Sequence, residues 1–219
     1  MLCRLRITMQ FDADCKRCKR LADFLTQVRC KHPDYYCKPV PAFGDPAARF
    51  LIVGLAPGLH GANRSGRPFT GDHAGILLYQ TLYDMGFSSQ PISGGADDEL
   101  ILSNCRITNA VKCLPPQNKP TADEIRSCNT YLQTEIEGLP KNAIILALGK
   151  IAHDAVLRAR ALQLSKYRFR HASNHVLPGG IRLISSYHCS RYNTQTQRLT
   201  EAMFKQIFVL VKKYLLAAT

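Results

Sequence analysis

Four short apolar runs spread through the chain constrain its fold most. They cover 49–55, 105–112, 143–149 and 181–187, and Val53, Ile107, Val111, Ile144, Ile145, Ile181 and Ile184 make them rich in β-branched residues, the composition of buried strands. Between them the apolar residues recur at helical spacing. A first helix is expected over about 16–29, with Leu21, Phe24, Leu25 and Val28 on one face, and a second from after Asp72 to Met85, stopped by Gly86. A third opens on Thr121-Ala122-Asp123-Glu124, a capping-box pattern, and a fourth covers about 150–162. The last runs about 196–217, with Leu199, Met203, Phe204, Ile207, Leu210 and Val211 as its stripe. Strands separated by helices imply right-handed crossovers and a parallel sheet covered on both faces. The expected fold is therefore α/β, a three-layer α/β/α sandwich around a four-stranded, mostly parallel sheet. With 219 residues and no repeat or linker, 1–219 reads as one domain.

In such sheets ligands bind beyond the carboxyl ends of the strands. Three of the four runs end in polar material there: Gly54–Asp72, Asn109–Cys113 and His188–Asn193. The third run ends in Gly149-Lys150, which reads as structural. The first loop is rich in glycine, so its backbone can approach a ligand closely. It also carries a lone aromatic, Phe69, and closes on a carboxylate, Asp72. That mixture suits a flat polar ring better than a phosphate alone. Asn109 offers an amide donor and acceptor at a strand end. Each residue also has a plainer use: Phe69 in a core, Asn109 in a turn, Asp72 as a helix cap, His188 as a structural histidine.

A net charge of +13 and a pI near 9.5 point to a polyanionic partner, most simply nucleic acid. Basic residues gather at Arg158, Arg160, Lys166, Arg168 and Arg170. Residues 1–14 lack the apolar core of a secretory leader, and Phe208–Val211 is broken by Lys212-Lys213, so neither export nor a membrane span is expected. A cytoplasmic location follows, where thiols stay reduced. Nine cysteines then suggest metal ligation or catalysis before disulfides. Cys15 and Cys18 form a C-x2-C pair, and a proline-rich excursion separates Cys113 from Cys128. Four thiolates from two distant pairs suit a tetrahedral zinc or a cubane iron–sulfur cluster. Spacing does not choose between these metals, and it leaves Cys30 or Cys37 as alternative partners of the first pair. Cys3, Cys30, Cys37 and Cys105 also read as small buried hydrophobes.

Five segments, taken together and in order, carry a resemblance. They are Cys15-Lys16-Arg17-Cys18, Gly54-Leu55-Ala56-Pro57-Gly58, the stretch His60 to Asp72, the stretch Thr108 to Pro120 followed by Cys128, and Ser186-Tyr187-His188-Cys189-Ser190. In this combination the chain resembles the uracil-DNA glycosylase superfamily, in particular family 5, the type-B enzymes with an iron–sulfur cluster. The resemblance implies a structural 4Fe–4S cluster on Cys15, Cys18, Cys113 and Cys128. It implies a monomer that flips uracil, and other deaminated bases such as hypoxanthine, out of DNA and excises them hydrolytically in base excision repair. If the source is prokaryotic, it would act on nucleoid DNA.

Roles follow from that resemblance and from the residue chemistry. Phe69 is expected to stack on the base and Asn109 to read its edge. His188 would donate a hydrogen bond to the developing oxyanion, helped by the backbone at Leu55 and Ala56. Ala56 stands where the wider superfamily often has Asp, Asn or Glu, so Asp72 becomes the candidate to orient water and stabilise charge on the sugar. The small Ala56 also leaves room for bulkier bases. Asn63 and His60 are second choices for binding the base or the water. Ser190–Thr194 is expected to enter the minor groove, with Tyr192 or a neighbour such as Asn193 filling the vacated stack. Arg191, Arg198, Lys112 and Lys119 are assigned to phosphates. No lysine occupies a catalytic position, so a monofunctional hydrolase is expected. One departure stands out. The family usually has His-Pro-Ser where this chain has His188-Cys189-Ser190, which suggests a freer loop and an oxidisable thiol.

Two other classes compete. A metal-dependent nucleotide hydrolase would use the glycine loop as a phosphate cradle, but no Gly-Lys-Ser/Thr follows it. A non-catalytic iron–sulfur module binding DNA or RNA fits the charge, but would not need Asp72, Asn109 and His188 together.

Overall fold

The computed structural model describes residues 10–217; Cys3 lies outside them. The strands are β1 (Phe43–Gly44), β2 (Phe50–Gly54), β3 (Cys105–Asn109), β4 (Ile144–Leu148), β5 (Asn174–Val176) and β6 (Arg182–Ser186). They form one six-stranded sheet in the order β1-β3-β2-β4-β6-β5. The four apolar runs are its parallel centre, β3-β2-β4-β6. The expected four-stranded sheet is thus extended by β1 and β5, both antiparallel edges. These edges are two and three residues long, too short to leave a periodic signal in sequence.

The helices are α1 (Lys19–Lys31), α2 (Ala62–Ser65), α3 (His73–Asp84), α4 (Ala122–Glu137), α5 (Lys150–Ala159), α6 (Arg191–Gln195) and α7 (Glu201–Ala217). The chain leaves β2 for β3 on one side, then crosses back to β4 and on to β6. Right-handed crossovers in opposite directions place their helices on opposite faces. Accordingly Phe50 and Ile52 of β2 pack with Leu78 and Leu82 of α3 and Phe204 and Phe208 of α7. Leu51 and Val53 pack with Ile125 and Leu132 of α4 and Val156 of α5. All four β2 side chains are fully buried. Burying each contributes about 1.5–3 kcal/mol, which makes β2 a rigid base for the loop at its end.

The capping box of α4 is formed: the Thr121 hydroxyl accepts from the Glu124 N–H at 3.2 Å, and the Glu124 carboxylate accepts from the Thr121 N–H at 2.8 Å. The same carboxylate receives the Arg20 guanidinium of α1 at 2.7 Å on both oxygens, joining the two helices. Helix α1 begins later than its apolar pattern suggests, leaving Cys18 at the N-cap and Cys15 in the preceding turn. Helix α7 also begins late. Leu199 is buried ahead of it, and the Thr200 hydroxyl accepts from the Met203 N–H at 3.2 Å. Helix α5 ends at Ala159 rather than about 162.

Candidate active site

A cavity of about 390 Å³ opens at the carboxyl ends of β2, β3 and β6, within the usual range for small-ligand sites. Leu55, Ala56, Phe69, Asp72, Asn109, His188 and Arg191 all line it. Main-chain bonds fix its rim to the strand ends: the Ala110 N–H donates to the Gly54 carbonyl at 3.0 Å, and the Val111 N–H to the Leu55 carbonyl at 2.9 Å.

Gly54 explains how the two ring-reading side chains fit. A Cβ there would stand 2.4 Å from Asn109 Oδ1 and 2.7 Å from the Phe69 ring. Only a glycine lets both side chains converge over the strand end. Asn109 is buried, and its amide has no protein partner among the described residues. It is free to bond a ligand in the cavity. Phe69 is also buried, yet its φ is +58°, a region that an aromatic residue rarely adopts. Its neighbours impose it. The Tyr79 hydroxyl donates to the Pro68 carbonyl at 2.9 Å, and the Thr70 and Ser93 hydroxyls meet at 2.7 Å. Helix α3 presses directly on the Phe69 carbonyl at Gly75.

Asp72 caps α3, with Oδ1 accepting from the Gly75 N–H at 2.9 Å. Oδ2 lies against the Gly58–Gly61 turn, where a Cβ on Gly61 would meet it at 2.6 Å. Capping and a role in the cavity therefore use different oxygens of one carboxylate. Burial raises the Asp72 pKa, with the Gly75 N–H and His73 pulling the other way. His188 faces Phe69 with ring centroids 5.9 Å apart and planes 24° from parallel. Burial lowers its pKa to about 4, so its imidazole is neutral near neutral pH. Gly149 backs onto it, a Cβ there standing 3.5 Å from that of His188; Gly149-Lys150 thus belongs to the site's support. Asn193 acts on the same loop, its amide donating to the His188 carbonyl at 2.8 Å.

Several expected roles do not match their positions. Lys112 is buried, bonded to the Thr108 hydroxyl and to Glu135 at 2.8 Å. It cannot reach a phosphate. Asn63 is fully buried with its amide donating to Cys37 Sγ at 3.5 Å, and it does not line the cavity. His60 is exposed on the outer side of the loop, 2.8 Å from the Tyr35 hydroxyl. Cys189 is fully buried rather than available for oxidation, and the Ser190 cap of α6 and Asn193 hold its loop. Cys30 is exposed, unlike Cys37 and Cys105. Arg191, Tyr192 and Lys119 are exposed, Arg191 on the cavity wall, while the Arg198 guanidinium lies 4.6 Å over the Tyr187 ring.

Sequence reasoning missed Asn118 and His73, which also line the cavity. Gln117 and Asn118 have φ of +55° and +57°, a turn in the proline-rich excursion that accompanies Asn118's place in the lining. Asn in such a run is a signal for that backbone. His73 Nδ1 is buried without a hydrogen-bond partner among the described residues.

Cys15, Cys18, Cys113 and Cys128 line one further cavity with Arg17, Leu21, Lys112 and Tyr131. Neither Cys30 nor Cys37 does. The Lys112 N–H donates to Cys128 Sγ at 3.3 Å, and the Arg17 guanidinium sits 4.6 Å over Tyr131. Burial pushes the Cys113 thiol up strongly and that of Cys128 to about 11. Among the described residues no three His, Cys, Asp or Glu side chains form a group placed to hold a metal ion.

Residues 41–212 match the family described as the uracil DNA glycosylase superfamily. The chain belongs to the uracil-DNA glycosylase superfamily. It is 46% identical over 204 residues to the type-5 uracil-DNA glycosylase of Thermus thermophilus, covering 91% of this chain and 93% of that one. The type-5 uracil-DNA glycosylase of Mycobacterium leprae is 42% identical, covering 91% and 90%. A type-4 uracil-DNA glycosylase of Sulfurisphaera tokodaii is 32% identical over 82% of this chain and 77% of its own. The type-5 relatives thus share more of the sequence, in keeping with the family 5 resemblance. Among the described residues no helix is long and apolar enough to cross a membrane.

Proposed function

We propose that this DNA N-glycosylase excises uracil, and other deaminated bases of similar or larger size, by a monofunctional hydrolysis of the N-glycosidic bond. The observation that carries the reading is the convergence of Phe69, Asn109, His188 and Asp72 on one cavity, in a chain of the family. An extruded base would stack on Phe69 and present its edge to the unpartnered Asn109 amide. As the glycosidic bond breaks, its electron pair moves onto the base. The neutral His188 then donates a hydrogen bond to the base oxygen that gains charge, and the base leaves as an anion. A neutral imidazole keeps one N–H to donate, so the group is competent at neutral pH. Asp72 Oδ2 stabilises positive charge on the sugar, holds the water that adds to C1′ and takes the proton that water loses, which then passes to the base anion. Ala56 places no polar side chain on that wall, which supports tolerance of larger bases.

Cys15, Cys18, Cys113 and Cys128 line one cavity, and with the family 5 resemblance this supports their holding a 4Fe–4S cluster. When bound, the group supplies a cross-link between the turn before α1, the β3 loop and α4. It also keeps Cys113 and Cys128 deprotonated against their burial. Lys112 and Arg17 offset the resulting negative charge.

Oligonucleotides carrying one uracil or one hypoxanthine, treated with alkali after incubation, test the reading. Cleavage at uracil with none at hypoxanthine would confine the activity to uracil. Iron and sulfide in stoichiometric amounts support the cluster, whereas a colourless protein with one zinc refutes it.

A further inference from the structure

A second groove of about 790 Å³ continues from the base cavity, sharing Phe69, Asp72, His73 and Arg191 with it. Ile76 on α3, Ile92 on the 88–103 loop and Gln195 also line it. Ile76 and Ile92 are 69% and 71% exposed, the two large aliphatic side chains at the mouth of the site. Nothing in the proposed chemistry uses them.

The loop that carries Ile92 is held firmly. Beside Ile92, the Ser93 hydroxyl meets Thr70 at 2.7 Å and accepts from the Arg67 guanidinium at 3.1 Å. Arg67 is itself buried, pairs with Asp98, and donates to the Ala96 carbonyl at 2.8 Å. Asp98 in turn accepts from the Gly94 N–H at 2.8 Å. Arg67, Thr70 and Phe69 belong to one segment, so Ile92 is fixed relative to the ring that stacks on the base. A rigid apolar point beside an extrusion site is the chemistry of a side chain that takes the face of a base.

We infer that Ile76 and Ile92 form an apolar lip that packs on the base flanking the extruded nucleotide. The occupant is DNA, on three grounds. The groove is continuous with the base cavity, Arg191 lies on its wall, and Asp72 is the one acidic side chain among its lining residues in a chain of net charge +13. The inference rests on the glycosylase reading. In a duplex, the lip replaces the stacking that the flanking base loses when its neighbour leaves. In a single strand there is little stacking to replace.

Single-turnover excision of uracil from a duplex and from the same strand alone tests this, in wild type, Ile92→Ala, Ile76→Ala and Ile92→Leu. Both residues are exposed, so the variants are expected to fold; thermal unfolding checks it. The expected result is a loss of about tenfold on the duplex, the equivalent of the lower range of one base stack. Single-strand rates stay within about twofold and Ile92→Leu retains duplex activity. An unchanged duplex-to-single-strand ratio in both alanine variants overturns the lip. So does an unchanged ratio accompanied by a loss of self-association, which would assign the surface to a second copy of the chain. Absence of excision by wild type on either substrate would instead sink the glycosylase reading itself.

Discussion

Gly54→Ala tests the construction of the base cavity at a position that touches no solvent and carries no chemistry. The added Cβ would stand 2.4 Å from Asn109 Oδ1 and 2.7 Å from the Phe69 ring. Ordinary contact begins near 3.4 Å, so the two side chains together must yield by about 1 Å. Phe69 has little freedom to move, because Tyr79 and the first turn of α3 hold its strained backbone. Asn109 must therefore turn away. Overpacking of this kind destabilises by about 1–3 kcal/mol, and a displacement of about 1 Å in a positioning group can lower the rate about 100-fold. Single-turnover excision under protein excess, with urea unfolding alongside, separates the two effects. The expected outcome is a folded protein with a strongly reduced rate. A wild-type rate in Gly54→Ala would refute the claim that Asn109 and Phe69 must meet over this strand end.

Asp72→Asn and Asp72→Ala divide capping from chemistry. Both are expected to lose most excision, but only the alanine loses the cap, with about 0.5–2 kcal/mol less stability. Because burial raises the Asp72 pKa, its charge opposes folding at neutral pH, and Asp72→Asn should unfold no earlier than wild type in urea. His188 gives a pH signature. Its folded pKa of about 4 lies below the unfolded value near 6.5, so the unfolded chain binds more protons between them. Its contribution to stability is full above about pH 6.5 and declines toward pH 4, and urea midpoints of His188→Asn should show a flatter acid side. Lys112→Ala leaves Glu135 without its cation, and a loss of about 3 kcal/mol is expected with the salt dependence of DNA binding unchanged. Arg191→Ala, by contrast, should reduce the slope of log Kd against log salt by about 1.

The fold class was legible because β-branched runs and helical stripes alternate along the chain. The edge strands were not, since two or three residues such as Phe43 and Gly44 have no period to detect. Asp72, Phe69, Asn109 and His188 could be singled out because they sit at strand ends outside any apolar stripe, and the structure brings all four to one cavity. Lys112 was misread for a physical reason: a lysine in a polar loop looks solvated until a distant carboxylate, Glu135 on α4, is folded against it. Asn63 and His60 are neighbours of site residues in sequence, but the short α2 turns one into the interior and leaves the other on the surface. Cys189 looked free for the lack of proline at that position, whereas packing against the α3–α7 layer buries it fully. Ile92 was invisible in sequence because its meaning comes from Arg67, Thr70 and Ser93, which draw its loop to the cavity.

If the cavity at the ends of β2, β3 and β6 holds an extruded base for hydrolysis, free base appears before any strand break. The most direct measurement is a time course of free uracil released from a uracil-containing oligonucleotide, with protein in excess. One uracil per strand is expected, with the strand intact until alkali is added. No release of base, or strand cleavage without alkali, would contradict it.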